Sequence, residues 1–266
     1  MHNNFFLIIL LFLGSLFYSQ DYEILYKVDF RPQKSSLTSF KTEYMVLQSK
    51  QTASFFFNPN LLKKDNFKNN ETSEKPYLKF SILKSGQSST YIGSFNGLNF
   101  KLKETIPLKW KITDYTTTYK NYKVQKAYIE FENRKWYAYF APEVPIFNGP
   151  YKFYGLPGLI LLVCSDDGDY SFEMVEISKQ KKYDASKILN SQSALIKRND
   201  LDKMISEFVK DPGSHNFRIM INENDSFDYQ FDGEKGDAYK DMNKYVNDLL
   251  SRYDNPIDKK TFILVY

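Results

Sequence analysis

Acid–base and nucleophilic chemistry leans on histidine and cysteine, and this chain of 266 residues carries two histidines, His2 and His215, and one cysteine, Cys164. His2 falls inside an apolar leader. A Ser-His-Asp or Cys-His arrangement would therefore depend on His215, and no Gly-x-Ser-x-Gly elbow is present to receive it. Cys164 closes an apolar run, where a thiol behaves as a small buried hydrophobe. Zinc needs His and Cys ligands in numbers the chain lacks. Carboxylates remain. Asp166, Asp167 and Asp169 crowd around Gly168, but the Asp-x-Asp-x-Asp-Gly loop with a distal Glu that calcium needs is not completed, and a tight Asp-Gly turn accounts for them. Glu130 and Glu132 would share one strand face about 7 Å apart, a spacing open to general acid and base work and equally to an ordinary solvated face. Glu143, held between Pro142 and Val144-Pro145, has a constrained backbone that suits a functional carboxylate or a polar strand end. No catalytic residue, metal ligand or cofactor is assigned on these residues.

The elements around them read as strands. After the leader, Tyr22, Ile24, Tyr26, Val28 and Phe30 alternate with Glu23, Lys27 and Asp29, the period of a half-buried strand. Further strands are expected over Thr42–Gln48, Ala53–Phe57, Tyr77–Leu83, Tyr91–Phe95, Leu98–Lys103, Trp110–Tyr119 and Tyr122–Phe131, separated by Gly, Asn, Pro and Ser punctuation that suits an antiparallel meander. A turn at Glu132-Asn133-Arg134 leads to a return strand. There Trp136, Ala138 and Phe140 alternate with Tyr137 and Tyr139, so this strand is expected at the centre of the sheet, covered on both faces. The polar stretch Asn58–Lys75 reads as a mobile loop. Two amphipathic helices follow. One starts at an Asp200 cap, presents Leu201, Met204, Ile205, Phe208 and Val209, and stops at Pro212-Gly213. The other begins near Asp237, presents Met242, Tyr245, Val246, Leu249, Leu250 and Tyr253, and ends at Asn255-Pro256. Both are expected to lie against the sheet. The fold class is therefore α+β, mainly β: a curved antiparallel meander sheet with two C-terminal amphipathic helices packed on it.

Composition bounds the setting. Phe5–Phe17 is an apolar run too short for a bilayer span, which needs about 20 residues, and suited to a signal peptide removed after Ser19 or Gln20. The expected organisation is a leader over 1–19 and one domain over 20–266, with no membrane span after cleavage; retention of the leader as an anchor is the alternative. Cys164 sits far from the cleavage point, so no lipoprotein anchor is expected, and a lone thiol forms no intramolecular disulfide. Net charge is +4, from 36 basic and 32 acidic residues. That balance carries no stripe matched to phosphates, and the densest run, Lys179–Lys182, reads as a solvated strand exit, so nucleic acid is set aside. Phe, Trp and Tyr make up 17% of the chain, a composition that suits pleated surfaces.

Between Ala141 and Cys164 the chain is dense in Pro and Gly. Pro142 and Pro145 end a strand, Asn148-Gly149-Pro150 marks a turn, Pro157-Gly158 has the order of a type II turn, and Leu159–Val163 reads as a buried strand. This stretch resembles the GLPGLI family, exported proteins of Bacteroidota-type bacteria named for the run found here as Gly155-Leu156-Pro157-Gly158-Leu159-Ile160. The resemblance extends to Trp110, Lys126-Ala127, Glu143-Val144-Pro145-Ile146, Gly149-Pro150 and Asn255-Pro256-Ile257. Asn133-Arg134 stands where Gly-Arg is more usual, and Val144 stands for Ile. The resemblance implies export and a β-rich fold, and it brings no established activity. The strand pattern is also similar to the curved sheets of periplasmic lipoprotein carriers, an analogy of fold alone.

The candidate binding residues are those of the motif loop: Glu143, Gly149, Pro150, Tyr154, Gly155, Leu156, Pro157 and Gly158. Turn geometry alone demands such residues, so the loop reads first as a packing plug over the sheet, with the rim of a site as the alternative. The expected function is that of an exported envelope protein, in the periplasm or at the outer membrane, which binds a partner protein or an apolar ligand on a concave aromatic face without catalysis. Two alternatives stand beside it. One is a hydrolase or glycosidase using Glu130, Glu132 and Glu143; the other is an accessory of an outer-membrane complex that docks through an edge strand or the Asn58–Lys75 loop.

Overall fold

The computed structural model describes residues 21–36, 38–50, 53–63, 76–95, 98–210 and 235–258. Twelve strands form one sheet. β1 (Tyr22–Phe30), β2 (Lys41–Ser49), β3 (Ala53–Phe57), β4 (Ser81–Ser85), β5 (Ser88–Phe95) and β6 (Leu98–Thr105) make one antiparallel meander. β7 (Lys111–Tyr119), β8 (Tyr122–Phe131), β9 (Arg134–Ala141), β10 (Leu159–Ser165) and β11 (Tyr170–Ser178) make a second, and β11 joins β1. β12 (Ala194–Ile196) lies parallel to β6 and is the exception to the antiparallel pairing.

The connection between the two meanders dictates the shape. β6 and β7 stand ten strand intervals apart in the sheet order, yet residues 106–110 alone join them. Ten intervals across a flat sheet would be roughly 48 Å, whereas that link reaches about 20 Å fully extended. The sheet must curl until its edges approach. Its inner face is one continuous core that includes Tyr26, Phe30, Phe56, Phe100, Trp136, Phe140 and Phe172. Alternation in β1 runs as the sequence predicts, with Ile24, Tyr26, Val28 and Phe30 all fully buried on this face.

Three helices complete the described structure: α1 (Ser186–Leu189), α2 (Arg198–Lys210) and α3 (Lys235–Arg252). α2 buries Leu201 and Ile205 in the core, and Phe208 packs edge-on against Phe95 of β5. It starts two residues before the expected cap. Asp200 lies in its first turn, where a carboxylate favours the positive end of the helix dipole. α3 likewise carries Asp237 in its first turn. Val246 is buried and Tyr253 meets Tyr77, but Tyr245 points to solvent and leaves the expected stripe. Among the remaining expectations the leader, Pro212-Gly213, His215 and Lys64–Lys75 lie outside the described residues.

Three departures have local causes. β4 begins at Ser81 rather than Tyr77, because the Tyr77 and Leu78 amides donate to the Glu43 carboxylate instead of a neighbouring strand. Asn58, expected in a mobile loop, is buried; it donates to Glu43 and caps the 3-10 turn Pro59–Leu62. β9 is not the centre of the sheet but the third strand from the β7 edge. Its outward Tyr137 and Tyr139 are half-buried and lie near the Lys126 ammonium group rather than beneath a second layer.

Candidate functional site

The loop between β9 and β10 fills the curled sheet. Tyr151, Phe153 and Leu156 are buried in the core, and the Phe153 ring lies 4.9 Å from that of Trp136. Ala141 to Val144 form a turn closed by Val144 N donating to Ala141 O, with Pro142 and Glu143 at its exposed tip. Pro157 is the central residue of a tighter turn than the type II form expected, since Gly158 N donates to Leu156 O two residues back. Proline's fixed φ suits the middle of such a turn.

Two glycines are forced by close approach. A Cβ on Gly158 would lie 2.2 Å from the Ala141 carbonyl oxygen, and one on Gly149 would lie 2.7 Å from the Ile160 side chain. Pro150 and Leu156 are buried, Gly155 and Pro157 are exposed, and Tyr154 is half-buried. The Tyr154 hydroxyl donates to Ile106 O and its carbonyl accepts from Trp110 Nε1, so this residue ties the loop to the link between the meanders.

The other half of the sheet holds the loop as well. Lys84 of β4 is buried and donates to Gly149 O at 2.6 Å and Phe153 O at 3.0 Å. Burial pushes its ammonium down to about 7. Asn148 bridges Ser54 of β3 and Ser49 of β2.

At the rim, where the end of β6 faces the β8–β9 turn and the start of α2, a cleft of about 950 Å³ opens. Five carboxylates line it, from Glu104, Glu130, Glu132, Asp202 and Asp258, against three cations, from Arg134, Lys135 and Arg198. Arg134 is engaged elsewhere. Its guanidinium pairs with Asp167, and it donates to Asn255 Oδ1 and to the Pro256 carbonyl. Asp169 is held between Arg31 and Arg134, so these two members of the acidic turn serve the fold.

The floor of the cleft is the β8–β9 turn. Glu132 and Asn133 both have left-handed backbones, with φ of 52° and 59°, the requirement of a two-residue hairpin turn. That explains why glycine is at home at position 133 and why asparagine tolerates it. The turn aims the Glu132 carboxylate inward, where Tyr151 Oη donates to it at 2.8 Å and Lys152 Nζ pairs with it. Tyr151 is itself left-handed, at φ 50°, a costly conformation for an aromatic residue that persists only where its surroundings over-determine it.

Lys152 also lies 3.7 Å from Glu104, which Arg198 holds through two hydrogen bonds. The two carboxylates are driven apart electrostatically. Burial raises Glu132 above the usual carboxylate range despite Lys152. Burial also pulls Glu104 upward, but hydrogen bonds from Arg198 and the charge of Lys152 outweigh it and hold that group below its ordinary value.

The structure thus brings Glu130 and Glu132 to one cleft and leaves Glu143 on an exposed turn outside its lining. Glu104, Lys152 and Arg198 were not singled out by sequence reading. They lie far apart in the chain, and only the curl of the sheet brings them together. Cys164 is half-buried with its thiol raised by burial, and among the described residues no cluster of His, Cys, Asp and Glu has the form of a metal site. None of the described helices is long and apolar enough to cross a membrane.

Comparison with known proteins gives a family match and a fold match. Residues 90–162 match the family described as "Protein of unknown function (Porph_ging)"; that stretch holds the loop, Glu104, Glu130, Glu132 and Lys152. Two solved structures, "Structure of PNGF-II in P21 space group" and "Structure of PNGF-II in C2 space group", are similar at 15% identity and a TM-score of 0.53, covering 70% of this chain and 33% of theirs. This chain therefore spans about a third of their length, and the likeness is one of fold. No curated protein matches the chain in sequence.

Proposed function

We propose that this chain is an exported cell-envelope protein of the GLPGLI type, in the periplasm or at the outer membrane, whose rim cleft binds a donor-rich, cationic segment of a partner protein without catalysis. One observation carries the reading: the inner face of the sheet is filled by its own loop, through Tyr151, Phe153 and Leu156, while the acidic cleft stands open beside it. An apolar ligand on the inner face would have to displace that loop. A polar segment in the cleft displaces water, and its positive charge complements the lining. In this reading Gly149, Pro150, Leu156 and Gly158 position the loop, Tyr154 braces the cleft wall at Ile106, and Glu143, Gly155 and Pro157 offer its exposed surface.

The test is a photo-crosslinking residue at Asp202, on the cleft and exposed, in cells expressing the full chain. A discrete adduct in the envelope fraction is expected, and it should be lost with the charge reversal Glu130→Lys. An adduct indifferent to that reversal, or a protein retained in the cytoplasm, would sink the reading. Native mass spectra of the purified protein should show the bare polypeptide; a lipid-sized excess mass would return the apolar cargo.

The opposed titration of Glu132 and Glu104 favours a second reading, a carboxylate hydrolase in the envelope, since a raised acid beside a lowered base is how acid and base roles are divided. It requires that Glu132→Gln abolish a turnover while the unfolding temperature stays unchanged.

A further inference from the structure

On the outer face of β7, β8 and β9, ammonium groups and phenol rings alternate in one line. Lys111 Nζ lies 5.6 Å from the centre of the Tyr128 ring, and Lys135 lies 5.9 Å from the same ring. Lys135 is 5.2 Å and Lys126 4.3 Å from the Tyr137 ring, and Lys126 is 5.9 Å from that of Tyr139. Strand register makes the line: Lys111 stands opposite Tyr128, Tyr128 opposite Tyr137, and Lys126 opposite Tyr139.

The line is short of countercharge. Among the described residues none of the three lysines makes an ion pair, although Glu130 stands opposite Lys135 and Asp166 contributes attraction to it. Lys126 and Lys135 both lie over one ring, Tyr137, so two ammonium groups are presented on the same strand face with a phenol ring between them. The rings hold the ammonium groups in place and reduce the ordering cost of binding.

We propose that this ladder is a docking track for an acidic polysaccharide. Phenol rings half-exposed on a strand face offer surfaces for the C–H faces of sugar rings, the ammonium groups take carboxylates, and the hydroxyls meet sugar hydroxyls. A protein interface would need an apolar core, and adsorption to a membrane would need side chains that enter the acyl boundary. Neither is built into these six residues. The track meets the rim cleft at Lys135, which lines both, but its other five residues lie outside that acidic site.

The experiment is affinity electrophoresis of the mature chain through gels containing polygalacturonate, with fully methyl-esterified polymer as the uncharged control. Retardation by the acid form is expected, weakening with added salt. The double substitution Lys126→Gln/Lys135→Gln should lower the affinity by at least about tenfold, and Tyr137→Leu/Tyr139→Leu should lower it several-fold, with unchanged circular dichroism in both. Undiminished retardation of the lysine variant would overturn the proposal. So would full binding by the tyrosine variant, which would reduce the effect to unspecific ion exchange, or binding to anionic phospholipid vesicles without binding to the glycan.

Discussion

The outer faces of the two meanders solve the same problem in opposite ways. Over β1–β5 the outward residues Val46, Phe55, Phe57 and Ile92 are buried beneath a cover that includes Tyr183, Ala185, Ile188 and Leu189. Over β7–β9 the outward residues include Lys111, Lys126, Lys135, Tyr128, Tyr137 and Tyr139, half-buried or exposed, and no described element covers them. Each outer face matches its surroundings: apolar side chains where a segment packs on them, amphipathic ones where lysine stems and phenol rings must meet water. Glu23 marks the boundary. It lies on the covered side, buried, and accepts from Gln48 Nε2 and from the Lys182 amide, so a carboxylate that would otherwise be solvated pins the cover to β1.

The largest test of this contrast is Phe57→Ala, which empties the space between Phe55 and Tyr183. A loss of about 3–5 kcal/mol in urea unfolding is expected for a buried aromatic truncated to alanine; a loss below about 1 kcal/mol would mean the cover does not pack. Lys84→Met comes next, because the loop it holds lies under both meanders. It leaves the Gly149 and Phe153 carbonyls without their donor and should cost about 1–3 kcal/mol at high pH.

Its pH signature is separate. With a folded value of about 7 and an unfolded value near 10.4, the unfolded chain binds more protons across that window, so wild-type stability should rise as pH climbs through it. Below pH 7 the penalty of the buried charge is fully present. The difference between wild type and Lys84→Met, followed by thermal unfolding from pH 6 to pH 10, should show this slope in the wild type alone.

Glu23→Gln keeps the shape and removes the charge that anchors the cover; an intermediate loss of about 1–2 kcal/mol is expected. Tyr137→Ala on the open face should be the smallest, below about 1 kcal/mol, the scale of cross-strand and cation–π contacts at exposed sites. A Tyr137 loss as large as that of Phe57 would erase the distinction between the two faces.

Most strands were legible because alternation and turn residues are local. Ala53–Phe57 and Tyr122–Phe131 coincide with β3 and β8. The short β12 was not legible, since a three-residue parallel strand has no pattern to read. Doubly aromatic β9 was misplaced to the centre of the sheet for a related reason: alternation says that two faces are aromatic, not whether both are covered. The loop was legible as a constrained segment that packs over the sheet as a plug; which of its side chains enter the core was not, because Pro and Gly set turns rather than burial.

What the amino-acid order determined by itself is the meander of strands, the two amphipathic helices and the tight loop, all consequences of periods and turns within a few residues. Tertiary structure alone decided the curl, which follows from a link of residues 106–110 meeting two sheet edges. The curl in turn set Glu104 and Glu132 on either side of Lys152. Their opposite titration depends on burial and on neighbours distant in the chain, and distance along a sequence carries no information about desolvation.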